Sequence, residues 1–531
     1  MMTQRFNAPL RACYDFIICG GGTAGCVIAR RLAEHADVTV LLIEAGGSDQ
    51  VEAVMDTTQW MSNIGSERDW GYRAEPSDSL NGRTPVLPMG KVLGGGSSIN
   101  GSIWARGHRH DYDGWAQAVD DNQWNYHSAL AVFRQIEDWH GPQDTHRRGQ
   151  GGLLSVRPPT NPVPLVDALL QAATRLGVPA VNDINAAAME GDAACGLANI
   201  LVQDGNRRVS MAASYLHPVL GASNLDVLLC AEVTGLTFSG KRVTGVELVQ
   251  LGKQKSVSAS QEVIVSLGAI NTPRLLMTSG IGPESSLREH NIQLRQSLPG
   301  VGQNFHDHIL LAGCCWEYLT PEAPRNNAAE FVFFSKSRAD LPAPDLMPVL
   351  EETPFASEVI AQQFDVPIGA SSAWTLAPGL AQPKSRGQIS LASADPRAPA
   401  IVEANFMQDP EDMRAMLTCV ELCRDIGNSP ECAPYRKREV FPGSLNRSEM
   451  TNFIRNAAGT YFHQCGTAKM GRDEMAVVDA QLRVYGLEGL RVADASIMPT
   501  IATGNTMAPT VFIAERAATL ISQAHGLSRR S

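Results

Sequence analysis

Three glycines and one acid set out the first piece of chemistry. Gly20, Gly22 and Gly25 follow the apolar run Phe16-Ile17-Ile18-Cys19, and residues 26–33 continue with helical spacing of Val27, Ile28 and Leu32. A continuous apolar run of that length reads as a parallel strand buried on both faces. The first glycine permits the sharp turn, the second lets backbone approach a pyrophosphate, and the third lets helix and strand pack closely. Thr23 and Ala24 complete the turn, and the N-terminus of the helix over residues 26–33 faces the phosphates with free N–H groups. Glu44, followed by Ala45, lies 19 residues beyond Gly25 at the end of the next apolar run, Val38 to Ile43. Its carboxylate suits a ribose diol and disfavours the extra phosphate of NADP. Strand, glycines, helix and acid together predict a dinucleotide site, but they do not separate FAD from NAD.

A second glycine-rich turn, Gly94-Gly95-Gly96-Ser97-Ser98, offers small residues and backbone N–H groups that suit the side of a flat ring. Four segments carry a family resemblance. Gly90-Lys91-Val92-Leu93-Gly94-Gly95-Gly96-Ser97-Ser98-Ile99-Asn100 resembles the first signature of the glucose–methanol–choline (GMC) oxidoreductases. Gly268-Ala269-Ile270-Asn271-Thr272-Pro273-Arg274-Leu275-Leu276-Met277-Thr278-Ser279-Gly280-Ile281-Gly282 resembles their second signature. His463-Gln464-Cys465-Gly466-Thr467 and Asp494-Ala495-Ser496-Ile497-Met498-Pro499 resemble their catalytic and flavin-contacting segments. The resemblance runs from about residue 14 to residue 520.

The resemblance implies FAD and oxidation of an alcohol to an aldehyde or ketone, by proton abstraction and hydride transfer to flavin N5. It places Gly94, Ser97, Asn100 and Gly101 along the flavin, the Val233 backbone near the adenine, and Asp494, Ala495 and Thr506 near the pyrophosphate and ring. Some relatives attach FAD through a histidine in the 94–100 turn. The matching position here is Ile99, which cannot form that bond, so non-covalent FAD is expected. Alcohol oxidation needs a proton acceptor and a donor to the developing alkoxide. His463 aligns with the family's active-site histidine. The family's second position, histidine or asparagine, is Asn505, which can donate a hydrogen bond but cannot act as a base. Tyr461, Phe462, Trp316 and Met507 are candidates for the substrate pocket. His306 and His308 invite a metal reading, but their segment resembles a linker between domains, and no metal site is expected.

The elements that must position these groups suggest α/β plus α+β architecture. A discontinuous Rossmann-like FAD-binding domain (residues 12–155, 201–305 and 456–531) is interrupted by a substrate domain on an antiparallel sheet (residues 156–200 and 306–455). Residues 111–138 look helical, residues 163–176 form an amphipathic helix, and residues 51–86 read as an irregular excursion over a cofactor. Strand-like runs occupy residues 225–229, 243–248, 263–266 and 490–493, and a helix spans residues 510–523.

The chain has 531 residues, a net charge of −11, and 44% hydrophobic against 19% charged residues. This is a globular composition, and the acidic balance without a Lys/Arg tract argues against nucleic acid. The 11 cysteines are scattered without zinc spacing. Residues 1–13 lack an apolar leader core, and no apolar run reaches the ~18 residues of a membrane span. A cytoplasmic protein is therefore expected, with peripheral membrane contact left open. The resemblance is to the bacterial choline and sorbose dehydrogenase branch. It implies a small-molecule alcohol and a quinone- or dye-like acceptor, with an O2-using oxidase as the alternative. An FAD-containing lyase is the reading of another class. An NAD-dependent dehydrogenase accounts for Gly20 and Glu44 but not for the 94–100 or 268–282 segments.

Overall fold

A computed structural model describes residues 6–527. The buried apolar strand Cys13–Cys19 lies between Val40–Ile43 and Lys253–Val265 and runs parallel to both. Leu225–Leu228 extends the sheet beyond Val40–Ile43, and Leu490–Val492 joins Lys253–Val265, again in parallel. The other end is an antiparallel meander of Ala231–Ser239, Arg242–Gln250 and the first half of Lys253–Val265. Ala231–Ser239 lies outside the strand runs read from sequence, because Thr234 and Gly235 break its apolar alternation at an irregularity in the edge pairing.

Two helices pack over this sheet. Thr23–Ala33 follows the first glycine turn, and Met507–Ala524 crosses beside it. Arg31 forms a bidentate ion pair with Glu515 between them, and the Tyr215 hydroxyl donates to the same carboxylate at 2.8 Å. The stretch expected to be one helix over residues 111–138 is two, Arg109–Val119 and Tyr126–Ile136. Asp120 in the left-handed conformation ends the first, and the Asn125 side chain caps the second by accepting from the Ser128 N–H. Both are residue types that favour helix ends.

A second sheet is antiparallel throughout. Its order is Arg436–Phe441, Cys315–Tyr318, Ala373–Ala377, Val349–Glu351, Phe331–Phe334, Ala194–Leu197. One face packs against the long helix Pro410–Gly427, where Trp316 stacks on Trp374 with ring centroids 4.4 Å apart. A third sheet is small, with three short strands. There Ile309–Leu311 pairs with Gly379–Leu380 on one side and Ala458–Thr460 on the other. No helix among the described residues is long and apolar enough to cross a membrane.

Candidate active site

The small sheet brings together residues far apart in sequence. Ile309–Leu311 begins just after His308, and Ala458–Thr460 ends just before Tyr461. The Tyr461 N–H donates to the His308 carbonyl at 3.0 Å, continuing the ladder one step beyond the strands. Asp307 then takes hold of the neighbouring chain: its carboxylate accepts from the His463 N–H at 2.8 Å and from the Thr460 hydroxyl. Phe462, between them, adopts φ +68°. This is the left-handed region that non-glycine residues rarely enter, and it turns consecutive side chains at Tyr461, Phe462 and His463 into one cavity.

His463 sits in a chain of four hydrogen-bonding groups whose proton positions follow from one fixed end. The Ala502 carbonyl can only accept, so His308 Nε2, 2.9 Å away, carries a hydrogen. Burial lowers the pKa of His308 to about 3, so it is neutral and its Nδ1 is an acceptor. The partner of that Nδ1 is His463 Nδ1 at 2.9 Å, which must therefore carry the hydrogen. His463 Nε2 is left with its lone pair. Asn505 Nδ2 lies 3.2 Å from it and donates. Burial, reinforced by His308, holds the His463 pKa well below the ordinary 6.5. The Tyr461 ring lies nearly parallel to the His463 ring, with centroids 4.9 Å apart.

The same cavity extends to the first glycine turn. Its lining includes Gly20, Gly22, Thr23, Ala24, Glu44 and Ala45 at one end. Gly95, Gly96, Ser97, Asn100, Gly101, Asp494, Ala495, Thr506 and Met507 line the middle. Close approach explains two glycines. A Cβ on Gly25 would lie 1.8 Å from the Gly20 carbonyl oxygen, and one on Gly95 would lie 2.7 Å from Gly22 Cα. Gly25 thus shapes the cavity from behind without lining it, as does Gly94, whose φ of +88° makes the second glycine turn.

The residues fit a bound FAD. Neither helix that points its N-terminus into the cavity, Thr23–Ala33 or Met507–Ala524, has a side-chain cap or an acid in its first turn. Free N–H groups and the positive end of the helix dipole there suit phosphate and other anionic groups. Glu44 is pinned by the Gly21 and Gly46 N–H groups, at 2.9 and 2.7 Å, with its carboxyl at the cavity wall. Asp494 accepts from the Gly268 N–H, the Thr272 hydroxyl and the Ser496 N–H, so it organises the turns beside the cavity. Helix Gly268–Thr278 contains Pro273, which cannot donate to the Ala269 carbonyl; the Thr467 hydroxyl donates to it instead, at 2.5 Å. The second signature is thereby tied to the segment that carries His463.

One expected pocket residue lies elsewhere. Trp316 does not line the cavity: it is fully buried between the second sheet and helix Pro410–Gly427, and its indole N–H donates to Asn428 at 3.0 Å. Val233 lies on the strand Ala231–Ser239, which begins where the Ala231 N–H donates to the Glu44 carbonyl at 2.9 Å. His308, read from sequence as part of a linker, is the hydrogen-bond partner of His463. The signal was present in Asp307 and His308 preceding an apolar strand, but nothing local shows which strand they meet. Trp60, Trp70, Leu310 and Glu351 also line the cavity and were not singled out as pocket residues.

Models of the GMC oxidoreductase N- and C-terminal domains match residues 14–310 and 383–514. The chain is 35% identical over 537 residues to an alcohol dehydrogenase [acceptor] of Pseudomonas putida, covering 96% of this chain and 95% of that protein. The chain belongs to the GMC oxidoreductases. Another relative of this GMC oxidoreductase is the oxygen-dependent choline dehydrogenase of Sinorhizobium medicae, 34% identical over 97% of this chain and 96% of its own length. Among solved structures, pyridoxine 4-oxidase from Mesorbium loti superposes with a TM-score of 0.90 at 33% identity, covering 97% of this chain and 99% of that one. Family and fold together make the protein an FAD-dependent oxidoreductase with a Rossmann-type cofactor fold.

Proposed function

We propose that this GMC oxidoreductase oxidises an alcohol, with His463 as general base and Asn505 as the donor to the developing alkoxide. The observation that carries the reading is the hydrogen-bonded chain from the Ala502 carbonyl through His308 and His463 to Asn505. FAD, when bound beside residues 20–25, Glu44 and the Asp494 turn, would supply the hydride acceptor. His463 Nε2, with its lone pair inside the cavity, takes the hydroxyl proton. The imidazolium so formed keeps its Nδ1–H bond to His308, which stays neutral. Asn505 is uncharged and donates only, so proton transfer falls to His463 alone. The relatives' names support an alcohol, since alcohol dehydrogenase, choline dehydrogenase and pyridoxine 4-oxidase are each named for a hydroxyl-bearing substrate.

The reading extends to the acceptor and the domain plan. Tyr461 is buried against His463 and crowds the space that O2 needs beside the reacting centre, which favours a dehydrogenase passing electrons to a quinone-like acceptor. An oxidase is the second reading, supported by the name of the pyridoxine relative. Residues 12–155, 201–305 and 456–531 form the FAD-binding domain in this account, and residues 156–200 and 306–455 cover the substrate. In support, every strand of the mostly parallel sheet lies in the first set and every strand of the six-stranded antiparallel sheet in the second. An anaerobic screen of alcohols for flavin bleaching tests the reaction class. No bleaching by any alcohol would favour the lyase reading. Turnover with a dye or quinone should exceed turnover with O2, and Tyr461→Val should raise the O2 rate. Peroxide formed as fast as dye is reduced in the wild type would make the enzyme an oxidase.

A further inference from the structure

One carboxylate on the cavity wall has no structural employment. Strand Val349–Glu351 alternates: Val349 and Glu351 face the cavity, while Leu350 is buried on the opposite face. Glu351 pairs through its backbone with Thr375, but its side chain meets no cation and no hydrogen-bond donor among the described residues. The other buried acids behave differently. Glu44 holds two backbone N–H groups, Glu137 holds Arg106, Arg148 and Trp104, and Glu515 holds Arg31 and Tyr215. Even the neighbouring Glu352, on the other face, accepts from the Arg325 N–H at 2.8 Å. The part of Glu351 that remains accessible opens into the cavity, beside Leu310 and Ala329. That apolar surrounding pushes its carboxyl up to about 8.

An unpaired acid in such a place is expensive, and any aliphatic residue would fill it more cheaply. The acid is explained if its partner is the ligand. We propose that Glu351 is the specificity-determining residue of the cavity, and that it selects an alcohol carrying a positively charged nitrogen, either an ammonium or a pyridinium group. The aromatic lining matches. Trp60 and Phe462 meet edge to face with centroids 6.2 Å apart, and Tyr461 is close enough to Glu351 to feel its charge. Aromatic faces attract such cations, most of all away from water. Tyr461 also stacks on His463, so a cation held near Glu351 leaves its hydroxyl arm to reach the base past one ring. The net charge of −11 favours approach of a cation from solution. The proposal rests on the alcohol-oxidation reading only for the identity of that arm.

Binding of cations that cannot be oxidised tests it independently of turnover. The FAD-loaded enzyme is titrated calorimetrically with tetramethylammonium, with N-methylpyridinium, and with neutral tert-butanol. At least one cation should bind roughly tenfold or more tightly than tert-butanol, and Glu351→Gln should remove that advantage while Glu351→Asp keeps part of it. Which cation binds assigns the ammonium or the pyridinium source. Cations binding no better than tert-butanol, or equally well to Glu351→Gln, would overturn the proposal. Failure of the alcohol reading shows up elsewhere, as a flavin that no alcohol bleaches.

Discussion

His308 fixes which nitrogen of His463 is available. The unprotonated Nδ1 of His308 requires a hydrogen on His463 Nδ1, and that leaves Nε2 to act as base. His308→Leu would remove the acceptor, leave a buried N–H unpaired and free the ring to adopt the other tautomer. The expected result is a flavin reduction rate about 10²-fold lower or worse, up to the ~10⁴-fold loss that follows when a histidine base is left in the wrong tautomer. FAD content should be retained. His308→Asn, whose amide oxygen can accept the same hydrogen, should recover part of the rate. Equal rates in wild type and His308→Leu would remove His308 from the account. Ile99 gives a second expectation at this scale. Among the described residues the cavity lining contains one histidine, His463, and no cysteine, and Ile99 lines it from the 94–100 turn. Acid precipitation should therefore release all of the flavin into solution, whereas colour retained in the pellet would mean a covalent bond.

At the scale of elements, the glycine turn and its helix were legible because strand, turn, helix and acid all fall within residues 13–44. The expected consequence of that geometry is concrete. Gly25→Ala places a methyl against the Gly20 carbonyl and forces the helix away from the strand. The purified variant should hold little FAD, measured by the ratio of flavin to protein absorbance. Full loading would contradict the role given to this turn. The antiparallel sheet could be anticipated only in outline. Trp316 shows why: an aromatic stretch reveals burial but not which face of a strand looks onto a cavity and which onto a helix. Glu351 shows the reverse problem, since a single acid at the end of a three-residue apolar strand carries no motif. The junction of Asp307 and His308 with the 460–463 segment depends on a strand pairing across about 150 residues of chain, and no local pattern encodes it.

Over the whole molecule, buried titratable groups make stability depend on pH in two opposed ways. His306, His308 and His463 are held below 6.5 by burial. The unfolded chain binds more protons than the native one on the acid side of 6.5, so stability falls as pH drops below that value. Glu351 and Glu352 are raised by burial, to about 8 and about 9, and Glu352 also by the adjacent Glu330 carboxylate. The native state keeps protons that the unfolded chain has lost, so stability falls as pH rises from the ordinary carboxyl range toward 9. Melting temperature should therefore decline from pH 7 to pH 9, and Glu352→Gln, which cannot ionise, should flatten that decline. An identical decline in the variant would show that Glu352 does not titrate in this window.

The central claim is that His463 takes the proton, and the direct measurement is anaerobic stopped-flow reduction of the bound flavin by the best alcohol from the screen. His463→Ala should retain FAD and reduce it roughly 10²–10⁴-fold more slowly than wild type, the contribution expected of a general base. A variant loaded with FAD and reduced at the wild-type rate would contradict the account.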